Sequence, residues 1–229
     1  MGLTEDTMTK NYKHCCIFVG GAPIYAEGFR KDFFDGTDLI IAADSGCAQL
    51  ERLCGAGFAL SPQLILGDMD SFPKERALSL YPSAEFVPFP TEKDYTDTQL
   101  ALDTALGMGA ETITVIGGTG NRADHYLANL ALLRHYAKIG VEVRIFDGKN
   151  LVSFESEGET VIENGSFRYF SLIPDGDSLS GVDIVGAKYP LRNAEVDRDL
   201  PITVSNEITE EKCIITVKRG MYFLILCSD

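Results

Sequence analysis

Four short segments of the sequence combine carboxylates, glycines and a guanidinium at spacings suited to phosphate and metal chemistry. Gly67-Asp68-Met69-Asp70-Ser71 carries two acids two residues apart. In extended backbone such residues point to one side, where two negative charges repel unless a cation lies between them. A hard divalent ion such as Mg²⁺ is held in that way, by one or two carboxylates with phosphate oxygens and waters. The same residues also read as a turn in which aspartate bonds its own backbone. Lys93-Asp94-Tyr95-Thr96-Asp97 places a lysine, a point charge for phosphate, before two acids three residues apart. At a helix start those acids share a face or complement the helix dipole as caps.

The segment from Gly117 to His125 is the densest, with Gly117, Gly118 and Gly120 followed by Arg122, Asp124 and His125. Glycines admit close backbone approach and positive φ. The helix that follows offers free N–H groups to an anion, and Arg122 adds a fork of donors for phosphate oxygens. Gly118, Gly120 and Ala123 also match a dinucleotide fingerprint, with Asp147 as its ribose acid. Asp44-Ser45-Gly46 is a fourth acidic turn. No P-loop pattern and no G-x-S-x-G occurs, and His14, His125 and His135 have no zinc-type spacing. The chemistry these residues imply is metal-assisted phosphoryl transfer on a nucleotide.

Each of these segments follows an apolar run. Lys13–Val19, Asp38–Ala43, Gln63–Leu66, Glu85–Val87, Thr112–Ile116 and Val141–Phe146 are short and continuous, as strands buried on both faces are. Helical spacing appears between them. Tyr126, Leu130, Leu133 and Ala137 share one face, as do Leu102, Ala105 and Leu106 in the segment starting near Thr96. Strand–helix alternation predicts a mostly parallel α/β sheet, whose ligands bind beyond the carboxyl ends of the strands. After Gly148 helical periodicity stops. Seven short β segments follow, at Leu151–Glu155, Glu159–Glu163, Arg168–Ile173, Gly181–Val185, Ile202–Ser205, Cys213–Val217 and Met221–Leu226. They predict an antiparallel β-sandwich. The expected division is a flexible tail at 1–12, an α/β domain at 13–148 and a sandwich at 149–229.

Of the 229 residues, 45% are hydrophobic and 24% charged, which supports a packed core and excludes a disordered chain. Twenty basic against 34 acidic side chains give a net charge of −14, the wrong sign for non-specific nucleic-acid binding. No apolar run approaches the ~20 residues of a membrane span, and the polar first twelve residues do not read as a signal peptide. Six cysteines without a C-x-x-C pair fit a reduced, cytoplasmic protein.

Gly67-Asp68-Met69-Asp70-Ser71, Lys93-Asp94-Tyr95-Thr96-Asp97 and Gly118–His125, in this order and after Asp44-Ser45-Gly46, resemble the motifs of the thiamine pyrophosphokinase family. The resemblance spans nearly the whole chain, since that family joins an α/β catalytic domain to a β-sandwich. It implies transfer of the pyrophosphoryl group of ATP to the hydroxyl of thiamine, giving thiamine diphosphate and AMP. On that resemblance Asp68, Asp70 and Asp97 hold Mg²⁺. Arg122, Thr119, Gly120 and Lys93 meet the nucleotide phosphates, with Asp44, Asp94, Asp124 and His125 in the same mouth. The resemblance also implies a homodimer with thiamine at its interface, where Ser205 and Asn206 meet the aminopyrimidine. Relatives can stack a tryptophan on the vitamin. This chain has none, and Tyr222 and Phe223 stand at about that place. Transfer to a pterin alcohol would keep the metal and nucleotide motifs and change the acceptor pocket. A non-catalytic nucleotide or thiamine sensor would not need both Asp68 and Asp70. A dinucleotide-binding protein would leave the other acidic turns unexplained.

Overall fold

The computed structural model describes residues 12–89, 94–120, 122–200 and 202–228. The chain forms two compact units, the first ending at Gly148 and the second beginning at Lys149. Residues 1–11 of the expected tail lie outside the described residues. Tyr12 belongs to the first unit's core rather than to a tail, because its ring is buried and its N–H donates to Met108 O at 3.2 Å.

Six parallel strands build the first unit: β1 (His14–Phe18), β2 (Leu39–Ala43), β3 (Leu64–Gly67), β4 (Glu85–Pro88), β5 (Thr112–Ile116) and β6 (Glu142–Phe146), in the spatial order β6-β5-β1-β2-β3-β4. Every residue of β2 and β3 is buried, as their unbroken apolar runs require of strands covered on both faces. Four helices connect the strands: α1 (Gly46–Gly55), α2 (Lys74–Leu80), α3 (Asp97–Gly107) and α4 (Ala123–Lys138). The deepest stripe of α4 is Asn129, Leu133 and Tyr136, rotated from the predicted face. Tyr136 draws the helix inward because its ring is buried while its hydroxyl still donates to Asp103 Oδ1 at 2.6 Å. β1 pairs with β2 on one side and β5 on the other. Strand order therefore reverses between β1 and β5, and the loops leaving their carboxyl ends splay around a crevice.

Among the described residues the strands of the second unit fall into two antiparallel sets of four. One is ordered β12 (Asn206–Glu207), β9 (Tyr169–Pro174), β14 (Tyr222–Cys227), β7 (Asn150–Glu155). The other is ordered β11 (Leu191–Asp197), β10 (Ser178–Val185), β13 (Lys212–Val217), β8 (Gly158–Glu163). Phe170, Leu172 and Tyr222 of the first sheet share a core with Ile162, Ile184 and Ile215 of the second, which makes a sandwich. Two details differ from expectation. Ile202–Ser205 is a turn, not a strand: Thr203 Oγ1 donates to Leu172 O (2.6 Å), Ser205 N donates to Ser171 Oγ (3.0 Å), and Ser205 has φ 56°. β11 was not foreseen, because a polar edge strand with a single buried residue, Val196, shows no alternation.

Candidate active site

A cleft of about 500 Å³ opens at the carboxyl ends of β1, β2, β3 and β5, at the point where strand order reverses. Its acidic wall is built by three turns of chain. Asp44 follows β2 and stays in the ladder through its N–H, which donates to Leu66 O at 2.8 Å. Asp68 and Asp70 follow β3. Each of the three acids offers a carboxylate oxygen, all within 4.8 Å of one another. The pair is not aligned by extended backbone as predicted. Met69 has φ 60°, so a left-handed residue folds Asp70 back, and Asp70 N donates to Asp68 Oδ1 at 3.2 Å. Asp68-Met69-Asp70 thus forms the turn and also brings its carboxylates into one cluster with Asp44. Ser71 stitches the wall together. Its hydroxyl donates to Asp70 Oδ1 (2.6 Å) and its N–H to Asp44 Oδ1 (3.4 Å).

Asp44 is only 6% exposed. Burial pushes its carboxyl above the ordinary aspartate value, against the lowering bonds from Ser45 and Ser71, and the charge on Asp70 pushes it further up. Three carboxylates this close, one of them buried, repel one another, and their hard oxygens fit a divalent cation such as Mg²⁺. Asp97, expected as the third metal ligand, lines the same cleft but is not part of this cluster, whose third member among the described residues is Asp44. Asp97 opens α3, and the cap is Thr96, whose Oγ1 accepts from Gln99 N at 3.2 Å. Asp94 is exposed and does not line the cleft. Lys93 lies outside the described residues.

The same cleft is also lined by groups whose chemistry suits an anion. Arg122, the last residue before α4, lines the cleft, and no side chain caps that helix end. Asp124 grips Arg122 as a fork, with Nη2 to Oδ2 at 2.7 Å and Nε to Oδ1 at 3.3 Å. That hydrogen bond holds the exposed Asp124 carboxyl below its ordinary value and orients the guanidinium. Asp124 itself does not line the cleft, whereas Thr119, Gly120 and His125 do. The loops after β1 and β5 are joined by Ala22 N to Thr119 O at 3.0 Å and Gly118 N to Gly20 O at 3.3 Å. At Gly120, φ is +84° and a Cβ would lie 2.4 Å from the Ala22 Cβ, so only glycine allows this approach.

Asp147 is no ribose acid. It is buried and accepts from the Thr119 hydroxyl at 2.8 Å, a geometry that removes the support for a dinucleotide site. Sequence reasoning also missed Gln49 and Asn129, buried amides that bond these loops. The available signal was a polar residue on an apolar helical stripe, Asn129 between Tyr126 and Leu133, and Gln49 between Gly46 and Leu53.

In the second unit, Ser205 is exposed in its left-handed turn. Asn206 is buried, and its side chain clamps the Tyr189 backbone by accepting from Tyr189 N (3.0 Å) and donating to Tyr189 O (2.8 Å). Tyr222 is fully buried and its hydroxyl pairs with Thr160 at 3.1 Å, so it is a core residue and has no face to offer a ligand. The partly exposed Phe223 packs edge-on against Phe154 with centroids 4.9 Å apart.

An open parallel sheet whose switch point carries a cleft lined by clustered acids, an arginine and a glycine loop defines an α/β protein with a site whose chemistry suits phosphates beside a divalent cation. A family model described as thiamin pyrophosphokinase, catalytic domain, matches residues 30–145, and one described as thiamin pyrophosphokinase, vitamin B1 binding domain, matches residues 159–222. Thiamine pyrophosphokinase of Bacillus subtilis is 31% identical over 213 residues, covering 92% of this chain and 97% of that protein. Its crystal structure superposes with a TM-score of 0.80 at 29% identity over 95% of this chain and all of that one (100%). The crystal structure of thiamin pyrophosphokinase from Geobacillus thermodenitrificans gives 0.75 at 31% identity, covering 94% and 97%. The chain belongs to the thiamine pyrophosphokinase family.

Proposed function

We propose that this protein transfers the pyrophosphoryl group of ATP to the hydroxyl of thiamine, with the cleft of the first unit as the nucleotide site. The observation that supports the reading is that the Asp44–Asp68–Asp70 cluster, Arg122 and the Gly118–Gly120 loop line one cleft. Asp44, Asp68 and Asp70 would hold Mg²⁺, which supplies positive charge to the phosphate oxygens, with Asp97 beside them. Arg122, steadied by Asp124, donates to phosphate oxygens, and the open end of α4 and the glycine loop add backbone N–H groups. The thiamine oxygen bonds to the β-phosphorus as the bond from that phosphorus to the AMP oxygen breaks, and the hydroxyl proton is released. Donors fixed before the reaction need not reorganise as charge grows on the leaving AMP.

The acceptor belongs to the second unit in this reading. Ser205 and Phe223 are the contacts left to it, while Asn206 shapes the turn and Tyr222 the core. A second copy covers Tyr189, Leu200, Ile202 and Val204, large apolar side chains that are all more than half exposed. Six cysteines outside any disulfide fit a cytoplasmic setting. No described helix is long and apolar enough to cross a membrane.

Product analysis with ATP, Mg²⁺ and thiamine tests the reading. AMP and thiamine diphosphate should appear in equal amounts and vanish with EDTA. ADP with thiamine monophosphate would move the attack to the γ-phosphorus. Turnover only with a pterin alcohol, run in parallel, would replace the acceptor.

A further inference from the structure

A buried polar side chain left without a partner costs about 1–3 kcal/mol, so the places where a fold buries one are informative. Among the described residues the first unit buries five polar or charged side chains: Asp44, Gln49, Thr114, Asn129 and Asp147. Asp44 belongs to the carboxylate cluster. Gln49, Asn129 and Asp147 come from three different parts of the chain, and all three bond the two glycine loops. Gln49 Nε2 donates to Ala22 O (3.1 Å) while its Oε1 accepts from Ile24 N (3.2 Å). Asp147 accepts from the Thr119 hydroxyl. Asn129 Nδ2 donates to Gly118 O at 2.9 Å.

The pattern of donors has a consequence for an anion. Carbonyl oxygens facing a phosphate repel it, and N–H groups attract it. In the loop after β5, Gly118 O is held by Asn129 and Thr119 O by Ala22 N. The N–H groups of Thr119 and Gly120 have no acceptor among the described residues. The loop therefore has two of its carbonyl oxygens engaged by the protein and two of its N–H donors unengaged. Gly118 is at φ +75°, a conformation open to glycine and readily lost to alternatives, so its carbonyl needs an external hold.

We propose that Asn129 is a positioning residue for the nucleotide, whose side-chain amide keeps the Gly118 carbonyl away from the phosphates and so presents the loop as an anion site. This rests on the nucleotide reading of the cleft. Gln49 and Asp147 brace the same loops from the other side. Asn129 acts through the loop and transfers no proton or group itself.

Asn129→Asp tests this with an almost unchanged shape, because it sets an acceptor against Gly118 O. Nucleotide affinity is read by calorimetry with ADP, beside the steady-state KM values and the melting temperature. At pH 8 the variant should bind ADP about tenfold more weakly, a loss of about 1.4 kcal/mol. The KM for thiamine should stay within about twofold. Lowering the pH to 6 should recover affinity in the variant relative to wild type, because a protonated carboxyl donates to Gly118 O again. Asn129→Ala, which removes the donor without adding charge, should weaken ADP binding with no such recovery. It also carries the test if the aspartate variant fails to fold. Wild-type ADP affinity in the alanine variant, equal losses for thiamine and nucleotide, or an aspartate variant insensitive to pH would each overturn the positioning role. A wild-type protein that binds no ADP in the same titration would overturn the nucleotide reading itself.

Discussion

Three aspartates whose carboxylate oxygens approach within 4.8 Å of one another repel as long as no cation lies between them. At about 4 Å, two unit charges near a protein surface repel by about 4 kcal/mol at an effective dielectric of 20. Removing one charge should therefore have opposite effects on stability and activity. Asp70→Asn keeps an oxygen to accept from the Ser71 hydroxyl, so the turn at Met69 has what it needs. Without metal, the variant should melt no lower than wild type and gain up to about 1 kcal/mol from relieved repulsion. Its kcat should fall about a hundredfold or more, since charge stabilisation by a bound metal is a matter of several kcal/mol. The rise in melting temperature on adding Mg²⁺ should shrink with it. Melting curves with and without Mg²⁺, run beside steady-state assays, read all three. A variant with wild-type turnover removes Asp70 from the metal site, and one that is destabilised without metal refutes the repulsion argument. At this scale the sequence pointed to Asp68 and Asp70, which the structure does bring together, and misjudged both their geometry and the acid that joins them. Asp-x-Asp is visible as a spacing, but the left-handed Met69 that brings the two together follows from the chain turning after Gly67. That Asp44 and not Asp97 completes the set depends on β2 and β3 being neighbours, a fact of pairing rather than of spacing.

The elements around the cleft were legible where one force dominates. The continuous apolar runs of β2 and β3 became strands because burial on both faces leaves no polar position. β11 was missed because an edge strand need not look apolar, and Ile202–Ser205 misled because β-branched residues also occur in turns held by side-chain bonds such as Thr203 to Leu172. Close approach is the part that composition hides, and α1 shows it. Gly46 opens this helix directly against β1: an added Cβ would lie 1.9 Å from Phe18 O, a backbone atom that cannot swing away. Gly55, at the other end of the same helix, has nothing within 4 Å of its would-be Cβ. The two alanine substitutions should therefore differ in sign. Gly46→Ala forces the helix off the strand that leads into the cleft, and should cost at least about 1–3 kcal/mol and weaken nucleotide binding. Gly55→Ala should be neutral or stabilising by up to about 1 kcal/mol, from the helix propensity that glycine lacks. Urea denaturation of the pair checks this, and similar midpoints for both would mean that α1 can move on the sheet without penalty.

The net charge of −14 belongs to the whole molecule, and its effect is separable from any single site. The ion pairs at Arg30–Asp32, Arg76–Glu51, Arg122–Asp124, Arg168–Glu207 and Lys188–Glu207 are all solvent-accessible. Such pairs are worth only about 0–1 kcal/mol each. The remaining acids outnumber their partners and repel across the surface, which lowers the stability of the compact state. Salt screens both effects over a Debye length of about 10 Å at 0.1 M. Because exposed pairs of this kind are weak and the excess of like charge is large, screening should relieve more repulsion than it removes attraction. In EDTA, with Mg²⁺ binding out of play, raising NaCl from about 10 to about 200 mM should raise the melting temperature. A gain of about 1 kcal/mol corresponds to roughly 2–4 °C at this chain length. Choline chloride, with a cation too large and soft for the carboxylate cluster, should give the same rise at equal ionic strength. A fall with salt would mean that the surface pairs outweigh the net charge. A rise with NaCl but not with choline would place the effect at a cation site and not in the field of the molecule.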